Sequence, residues 1–423
     1  MAASLPDLAA VSSLSRYVTR ILGQNPSKFT LQGTNSYLVH HPDSTRMILI
    51  DTTGPSSSEP LSAPSLSTYL SSLRSVLDRA EPPSSYVSDV ILTHWHRDHT
   101  AALPDVLRLL DDVRRARGKA AMGEAGDEEG ERAVRVWKMP CAGDGVEAWA
   151  NEAGKDAELE RELARGADAH GGRDEGGVAS GARVRPLQDG QRFRLGPQAA
   201  AGDDSSVQAS ADAIELEVVH TPGHTSDSIC LVLHRVAPAQ AVSAPPGTAA
   251  LAVLTADTIL GHGTAVFSSL SSYLHSLTRL LSLLPEKEGL CALYPGHGDV
   301  VRDGVGKIKE YRAHRLERER QILAALQDAT QEPGAEGITA QDLVEQIYGS
   351  TIPDSLKPAA AHGCLLHLAK LLEEGRVGRV SRRGQTAVGT GPSEGASGKG
   401  AAGEQGEVQM PRGWSDGWVA RRT

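Results

Sequence analysis

The six positions His94-Trp95-His96-Arg97-Asp98-His99 place three imidazoles and a carboxylate directly behind the apolar run Val90-Ile91-Leu92. Few features limit a fold more, because side chains that are to share one cation must be presented together from a rigid edge. Val90 to Thr93 reads as a short buried strand and the residues after it as a loop. The cluster then sits at a strand's C-terminal end, where open α/β sheets hold their chemistry. Neutral imidazole together with carboxylate suits zinc, with iron or manganese as substitutes. One or two histidines in such a turn would be read as solvated surface, whereas His-x-His-x-Asp-His is read as a metal site.

The same arrangement returns further along the chain. Ile214 to Val219 alternates like a strand and ends in His220-Thr221-Pro222-Gly223-His224-Thr225, where proline and glycine force a tight turn. The apolar run Leu251 to Thr255 delivers Asp257, and Cys291 to Tyr294 ends in Pro295-Gly296-His297-Gly298. Taken singly, His224 or His297 reads as a turn histidine and Asp257 as a helix cap. Together with the first cluster they supply His94, His96 and His224 for one ion, and Asp98, His99 and His297 for a second. Asp257 is the expected bridge, because a carboxylate binds through both oxygens while an imidazole has one lone pair to offer.

Composition bounds the rest. A chain of 423 residues buries a full core and is expected to form one large domain with a smaller one. With 39% hydrophobic residues, 44 glycines and 23 prolines, a good part of it is expected to be loop or disordered insertion. The net charge of -10 excludes a uniformly basic surface for nucleic acid, and DNA is not an expected partner. Cys141, Cys230, Cys291 and Cys364 lie far apart with no Cys-x-x-Cys pair. That excludes a thiolate zinc knuckle or a disulfide scaffold, and the four are expected to be reduced and buried. No run reaches the roughly 18 apolar residues of a membrane helix, and no secretory signal is present, so no membrane partner is expected. The expected compartment is the cytoplasm, with the mitochondrial matrix as the alternative because Arg16, Arg20 and several serines mark the first twenty residues.

Taken in order, Phe29 to Leu31 and Asn35 to Val39 read as strands about a glycine turn, Met47 to Ile50 as a strand running into Asp51, and Leu70 to Arg79 as a helix. Ala101 to Arg117 is the next helix. Residues 118 to 181, rich in Gly, Ala, Glu and Asp, read as a poorly ordered insertion around the strand Val134 to Trp137. Ile229 to Leu233 is a buried strand and Ser268 to Leu284 a helix. Beyond His297, Val305 to Leu326 reads as a salt-bridged solvated helix; Ile338 to Tyr348, Leu356 to Leu372 and Glu374 to Val377 have helix, turn, helix, wing order. The expected division is a segment 1–14, a main domain 15–304 with the insertion, a winged-helix-like domain 305–383 and a flexible tail 384–423 that carries Trp414 and Trp418.

Thr-His-Trp-His-Arg-Asp-His, Thr-Pro-Gly-His-Thr, Thr-Ala-Asp-Thr and Tyr-Pro-Gly-His-Gly stand in the order and approximate spacing of the metallo-β-lactamase superfamily, which the chain resembles over residues 15 to 375. The resemblance implies an α/β fold, an αββα sandwich with a dinuclear metal site at one edge, and places the ligand roles on His94, His96, Asp98, His99, His224, Asp257 and His297. Asp98 is also taken as the catalytic carboxylate. Gly23 to Tyr37 is similar to the β-lactamase-like protein 2 branch, which includes a mitochondrial endoribonuclease of animals and fungal thioesterases that release polyketides from carrier proteins. Thr255 to Phe267 looks more like the fungal thioesterases. The expectation is a hydrolase with two zinc ions, or manganese or iron, that activate a shared water. No Gly-x-Ser-x-Gly elbow suggests a serine nucleophile instead. Its expected substrate is an acyl or polyketide thioester, with the acyl carrier protein domain of a polyketide synthase as partner, and the alternative is cleavage of single-stranded RNA.

Overall fold

Two sheets face each other in the computed structural model, which describes residues 5–55, 62–121, 134–142, 152–168, 183–197, 213–236, 250–284, 291–329, 337–380 and 417–420. The first sheet has the spatial order β1 (Val11–Ser13), β2 (Val18–Leu22), β3 (Asn35–His40), β4 (Arg46–Ile50), β5 (Tyr86–Leu92), β6 (Arg135–Lys138) and β7 (Val184–Pro186). It is antiparallel as far as β4 and parallel from β4 onward. The second has the order β12 (Ala292–Pro295), β11 (Ala250–Ala256), β10 (Ile229–Arg235), β9 (Ile214–His220) and β8 (Arg192–Leu195). Only its β11–β12 pair is parallel.

Side chains that alternate along a strand divide the first sheet between two cores. Tyr37, Val39, Ile48 and Ile50 point at the second sheet and pack with Leu216, Val218, Leu231 and Leu254. Leu38, Met47 and Leu49 point the other way, onto α1 (Ala63–Asp78), α3 (Leu103–Ala121) and α4 (Lys155–Asp168), through Tyr69, Leu73, Leu77, Leu103, Val106, Leu159 and Leu163. On the second sheet's side, α5 (Leu270–Leu283) begins at Ser269, whose hydroxyl accepts from Ser272 N, and buries Tyr273, Leu277 and Leu280. Its Tyr273 hydroxyl donates to Thr258 O at 2.6 Å and Ser276 Oγ to Pro222 O at 2.7 Å, which ties it to the ends of β9 and β11. The result is an αββα sandwich.

The chain divides into two compact units, Met1–Arg312 and Ala313–Thr423, with the division inside α6 (Gly304–Ala329). The second unit has its own core. Ile322 and Leu326 of α6 meet Leu343 of α7 (Ala340–Tyr348), Leu368 and Leu371 of α8 (Lys357–Glu373), and Val377 of β13 (Val377–Val380). Thr339 and Asp342 cap α7 reciprocally, the pattern in which each satisfies the other's free backbone donor. Lys370 and Arg376 both pair with the buried Glu319 at 2.7 Å.

Four expectations need correction. Residues 118–181 are not filler around one strand: Lys155–Asp168 is helical, and Leu159 and Leu163, four residues apart, are buried in the helix-facing core. Each such leucine contributes about 1.5–3 kcal/mol. Phe29 to Leu31 is not a strand but a tight loop closed by one bridge between Ser27 and Leu31, with Leu31 at φ 56 and Gly33 at φ 132. The expected flexible tail contains β14 (Gly417–Ala420), which pairs antiparallel with β13 and buries Trp418. Cys141 is half-buried, whereas the other three cysteines are buried, and all four are free thiols. Residues 237–249 and 381–416, the latter including most of the expected tail, lie outside the described residues. No helix among the described residues is long and apolar enough to cross a membrane.

Candidate metal centre

Strand direction decides where the chemistry-bearing residues meet. β4 and β5 are parallel neighbours, β11 and β12 are parallel neighbours, and β9 runs the same way as β11 because two antiparallel steps separate them. Their C-terminal ends therefore bring Asp51, the His94–His99 run, His224, Asp257 and His297 to one rim. Ile229 N donates to Thr93 O at 3.0 Å, which joins the two sheets at that rim. After β5 the chain enters α2 (Arg97–Thr100), a single turn that folds Asp98 and His99 back beside His94.

All seven side chains singled out from the sequence come together, in two adjoining groups: His94, His96, His224 and Asp257, and Asp98, His99 and His297. In the first, His96 Nδ1 lies 3.0 Å from His94 Nε2 and 3.0 Å from His224 Nε2. Asp257 reaches both groups. Its Oδ2 is 3.6 Å from His224 Nε2 and 3.3 Å from His297 Nε2, and its Oδ1 is 3.4 Å from His99 Nε2. In the second group His297 Nε2 is 3.1 Å from Asp98 Oδ2 and 3.2 Å from His99 Nε2.

The donor set fits cations and little else. His224 Nδ1 donates to Val266 O at 2.8 Å, and in the neutral ring Nε2 then presents a lone pair to His96. A proton on His96 Nδ1 could bridge to His94 or to His224 but not to both, which leaves one lone pair facing another inside a buried site. Burial and the neighbouring His99 and His96 rings hold His94 well below the ordinary imidazole range. Burial, then His224, lowers His96 to about 3. Both rings are therefore neutral, the form that ligates metal. In the second group burial opposes ionisation but Asp257 and Asp98 prevail, raising His297 to about 9 and His99 well above its usual value. Burial would raise the Asp257 carboxyl, and His297 and His99 overcome it and hold the group well below the usual carboxylate range. The second group thus carries protons where a cation would sit.

A pH dependence follows with a definite sign. A ring whose metal-free pKa is about 9 is protonated at pH 7 and must release that proton to bind a metal, so uptake at the Asp98, His99 and His297 group weakens as pH falls below about 9. Calorimetric titration of metal-free protein at pH 7 in buffers of different ionisation enthalpy is expected to show at least one proton released. Heats that do not change with the buffer would contradict it.

The rings are also oriented from behind. His99 Nδ1 and Thr93 Oγ1 both donate to Asp51 Oδ2 at 2.8 Å, and Thr93 N donates to Asp51 Oδ1 at 2.8 Å. Asp51 is buried and adopts φ 56, a conformation that costs a non-glycine residue energy, and it is held there by these bonds and by its own N–H to Ile91 O. Such a carboxylate behind an imidazole fixes the ring's tautomer and aims Nε2 forward. Reading the sequence did not single out Asp51 for this role; the available signal was its place directly after the apolar run of β4, as His94 follows that of β5. Asn35 was missed too. Its Nδ2 donates to Pro295 O at 2.9 Å and Gly298 O at 2.8 Å and clamps the loop that carries His297. Gly296 in that loop has no room for a side chain, since a Cβ there would stand 2.3 Å from Asp257 Oδ1.

An αββα sandwich carrying this rim defines a metal-dependent hydrolase. A model of the metallo-beta-lactamase superfamily matches residues 29–236, and one of the beta-lactamase associated winged helix domain matches 339–385. The beta-lactamase-like protein 2 homolog of Drosophila melanogaster is 31% identical over 375 residues, which cover 89% of this chain and 94% of that protein. The chain belongs to the metallo-beta-lactamase superfamily. An atrochrysone carboxyl ACP thioesterase of Aspergillus novofumigatus is 29% identical over 379 residues, covering 88% of this chain and 84% of that protein. Among solved structures, a beta-lactamase domain protein from Burkholderia ambifaria superposes with a TM-score of 0.52 at 19% identity, covering 90% of this chain and 94% of that one, and supports the fold.

Proposed function

We propose that this chain hydrolyses an acyl or polyketide thioester carried on an acyl carrier protein. The reading assigns His94, His96, His224 and Asp257 to one divalent cation and Asp98, His99, His297 and Asp257 to the other, with zinc the preferred ion and manganese or iron as substitutes. Bound there, two such cations would lower the pKa of a water and polarise the substrate's carbonyl oxygen. Asp257 faces both groups, His224 and His297 through Oδ2 and His99 through Oδ1. The reading assigns Asp98, whose side chain is 14% exposed, as the carboxylate that would take a proton from the attacking water. A thiolate leaving group has a pKa near 8.5 and departs without a proton, so the site needs no separate acid.

The observation that carries the substrate class is one exposed apolar side chain on each of the two loops whose carbonyls face His224 and His297. Val266, whose carbonyl orients His224, is 67% exposed, and Phe29, on the loop whose Gly33 carbonyl faces His297 Nδ1, is 59% exposed. An exposed valine and phenylalanine on these loops, the latter with Lys28 Nζ 4.8 Å over its ring, offer apolar surface to an acyl or aromatic chain. The carrier-protein thioesterase named among the relatives supports the same reading.

The test sets the two substrates side by side. Wild-type protein is expected to hydrolyse a small acyl-pantetheine thioester, His96→Ala to lose that activity, and an unlabelled single-stranded RNA to remain uncut in the same buffer. RNA cleavage that is lost in His96→Ala and falls steeply between about 50 and 200 mM salt, with no thioester turnover, would replace this reading by an endoribonuclease.

A further inference from the structure

A third cluster of ligand-type side chains, Cys141, Glu152 and Asp227, lies outside the metal centre. It already contains a cation. Lys138, at the end of β6 and with its side chain buried, places Nζ 2.7 Å from Asp227 Oδ2, 2.6 Å from Asp156 Oδ1 and 3.4 Å from Cys141 Sγ. An ammonium in that position answers the carboxylates and leaves no vacant cage, so what matters is what the cluster holds. Asp227 follows His224 by three residues, and the whole stretch Thr225 to Ser228 is buried. Glu152, fully buried, accepts from Ser226 N at 3.0 Å and from Ser226 Oγ, and Ala142 N donates to Ser226 Oγ at 2.8 Å. From the same segment, Lys155 Nζ stands 4.7 Å over the ring of Trp95, the residue between His94 and His96, and Glu162 of α4 pairs with Arg97.

We propose that Glu152 and the Lys138–Asp227 ion pair are positioning residues for one of the two metal groups, the one formed by His94, His96 and His224. Residues 138–142 and 152–155 brace both loops that supply those three rings: Trp95 on one, Ser226 and Asp227 on the other. The other group is held from different quarters, His99 by Asp51 and the His297 loop by Asn35. Loss of the brace should therefore act on one site and spare the other, whereas a general loss of stability would weaken both. Residues that orient a ligand typically change metal affinity by about 10–100-fold. The inference rests on the reading that the centre takes two cations.

Cobalt(II) titration of the metal-free full-length chain against a chromophoric chelator resolves two binding constants, which His224→Ala and His297→Ala assign to their groups. Glu152→Ala is expected to weaken the His224 constant by about 10–100-fold and leave the His297 constant unchanged. Glu152→Gln, which keeps an oxygen for Ser226 N, should restore most of it. The double variant Lys138→Met with Asp227→Asn removes both buried charges together, which avoids leaving one unpaired, and should reproduce the selective loss. Circular dichroism verifies that each chain is folded. Equal weakening of both constants, or no weakening in folded Glu152→Ala and double-variant chains, would overturn the proposal. A wild-type chain that takes up fewer than two cobalt ions would overturn the two-cation reading itself.

Discussion

Asp257→Ala is expected to lower hydrolytic activity by more than about a hundredfold while leaving the chain folded. Substitution of groups that only orient a metal ligand costs about 10–100-fold, and Asp257 is itself a ligand-type side chain that reaches both groups, so its removal should exceed that range. The fold should survive because Asp257 belongs to neither the inter-sheet core nor the helix-facing core. The raised pKa of His297 depends chiefly on Asp257, so in the metal-free variant that ring should titrate nearer its ordinary value. Activity assays, circular dichroism and the imidazole proton resonances measure the three effects separately. Folded Asp257→Ala protein with activity within a few-fold of wild type would remove Asp257 from the mechanism.

Trp418→Ala is expected to destabilise the second compact unit by about 3–5 kcal/mol, the usual cost of truncating a large buried aromatic. Trp418 is 1% exposed within the core of α6, α7 and α8, and its backbone exchanges two hydrogen bonds with Ile338, at 2.9 and 3.0 Å, just ahead of the α7 cap. Native-state hydrogen exchange should show amides of α7 and α8 opening more readily by that amount, because both helices pack on the lost ring. Unchanged protection there would mean that β14 is not part of this core.

These two residues show where the chain could and could not be read. Asp257 was legible because the buried strand before it is a continuous apolar run, and such runs announce their ends; the same holds for His94 and His297. Trp418 was not, because β14 is four residues long and sits in a glycine-rich tail, where local composition says nothing about a partner strand forty residues upstream in β13. α4 was hidden by its charge: Lys155-Asp156-Ala157-Glu158-Leu159-Glu160-Arg161-Glu162-Leu163 offers two leucines against six charged side chains, and only packing reveals that those leucines are buried. β2 escaped notice because Arg20 interrupts its apolar run, yet Arg20 is buried and paired with Asp299 at 3.3 Å. Asp51 and Glu152 depend on contacts between residues far apart in sequence, with His99 and Ser226 respectively, which no local pattern encodes.

The central claim is that these seven side chains hold two divalent cations and that hydrolysis requires them. Elemental analysis of purified, active wild-type protein tests it most directly. About two ions per chain are expected, with zinc, manganese or iron predominating, and activity should disappear on chelation and return when the metal is restored. Active protein with metal content near zero would contradict the account.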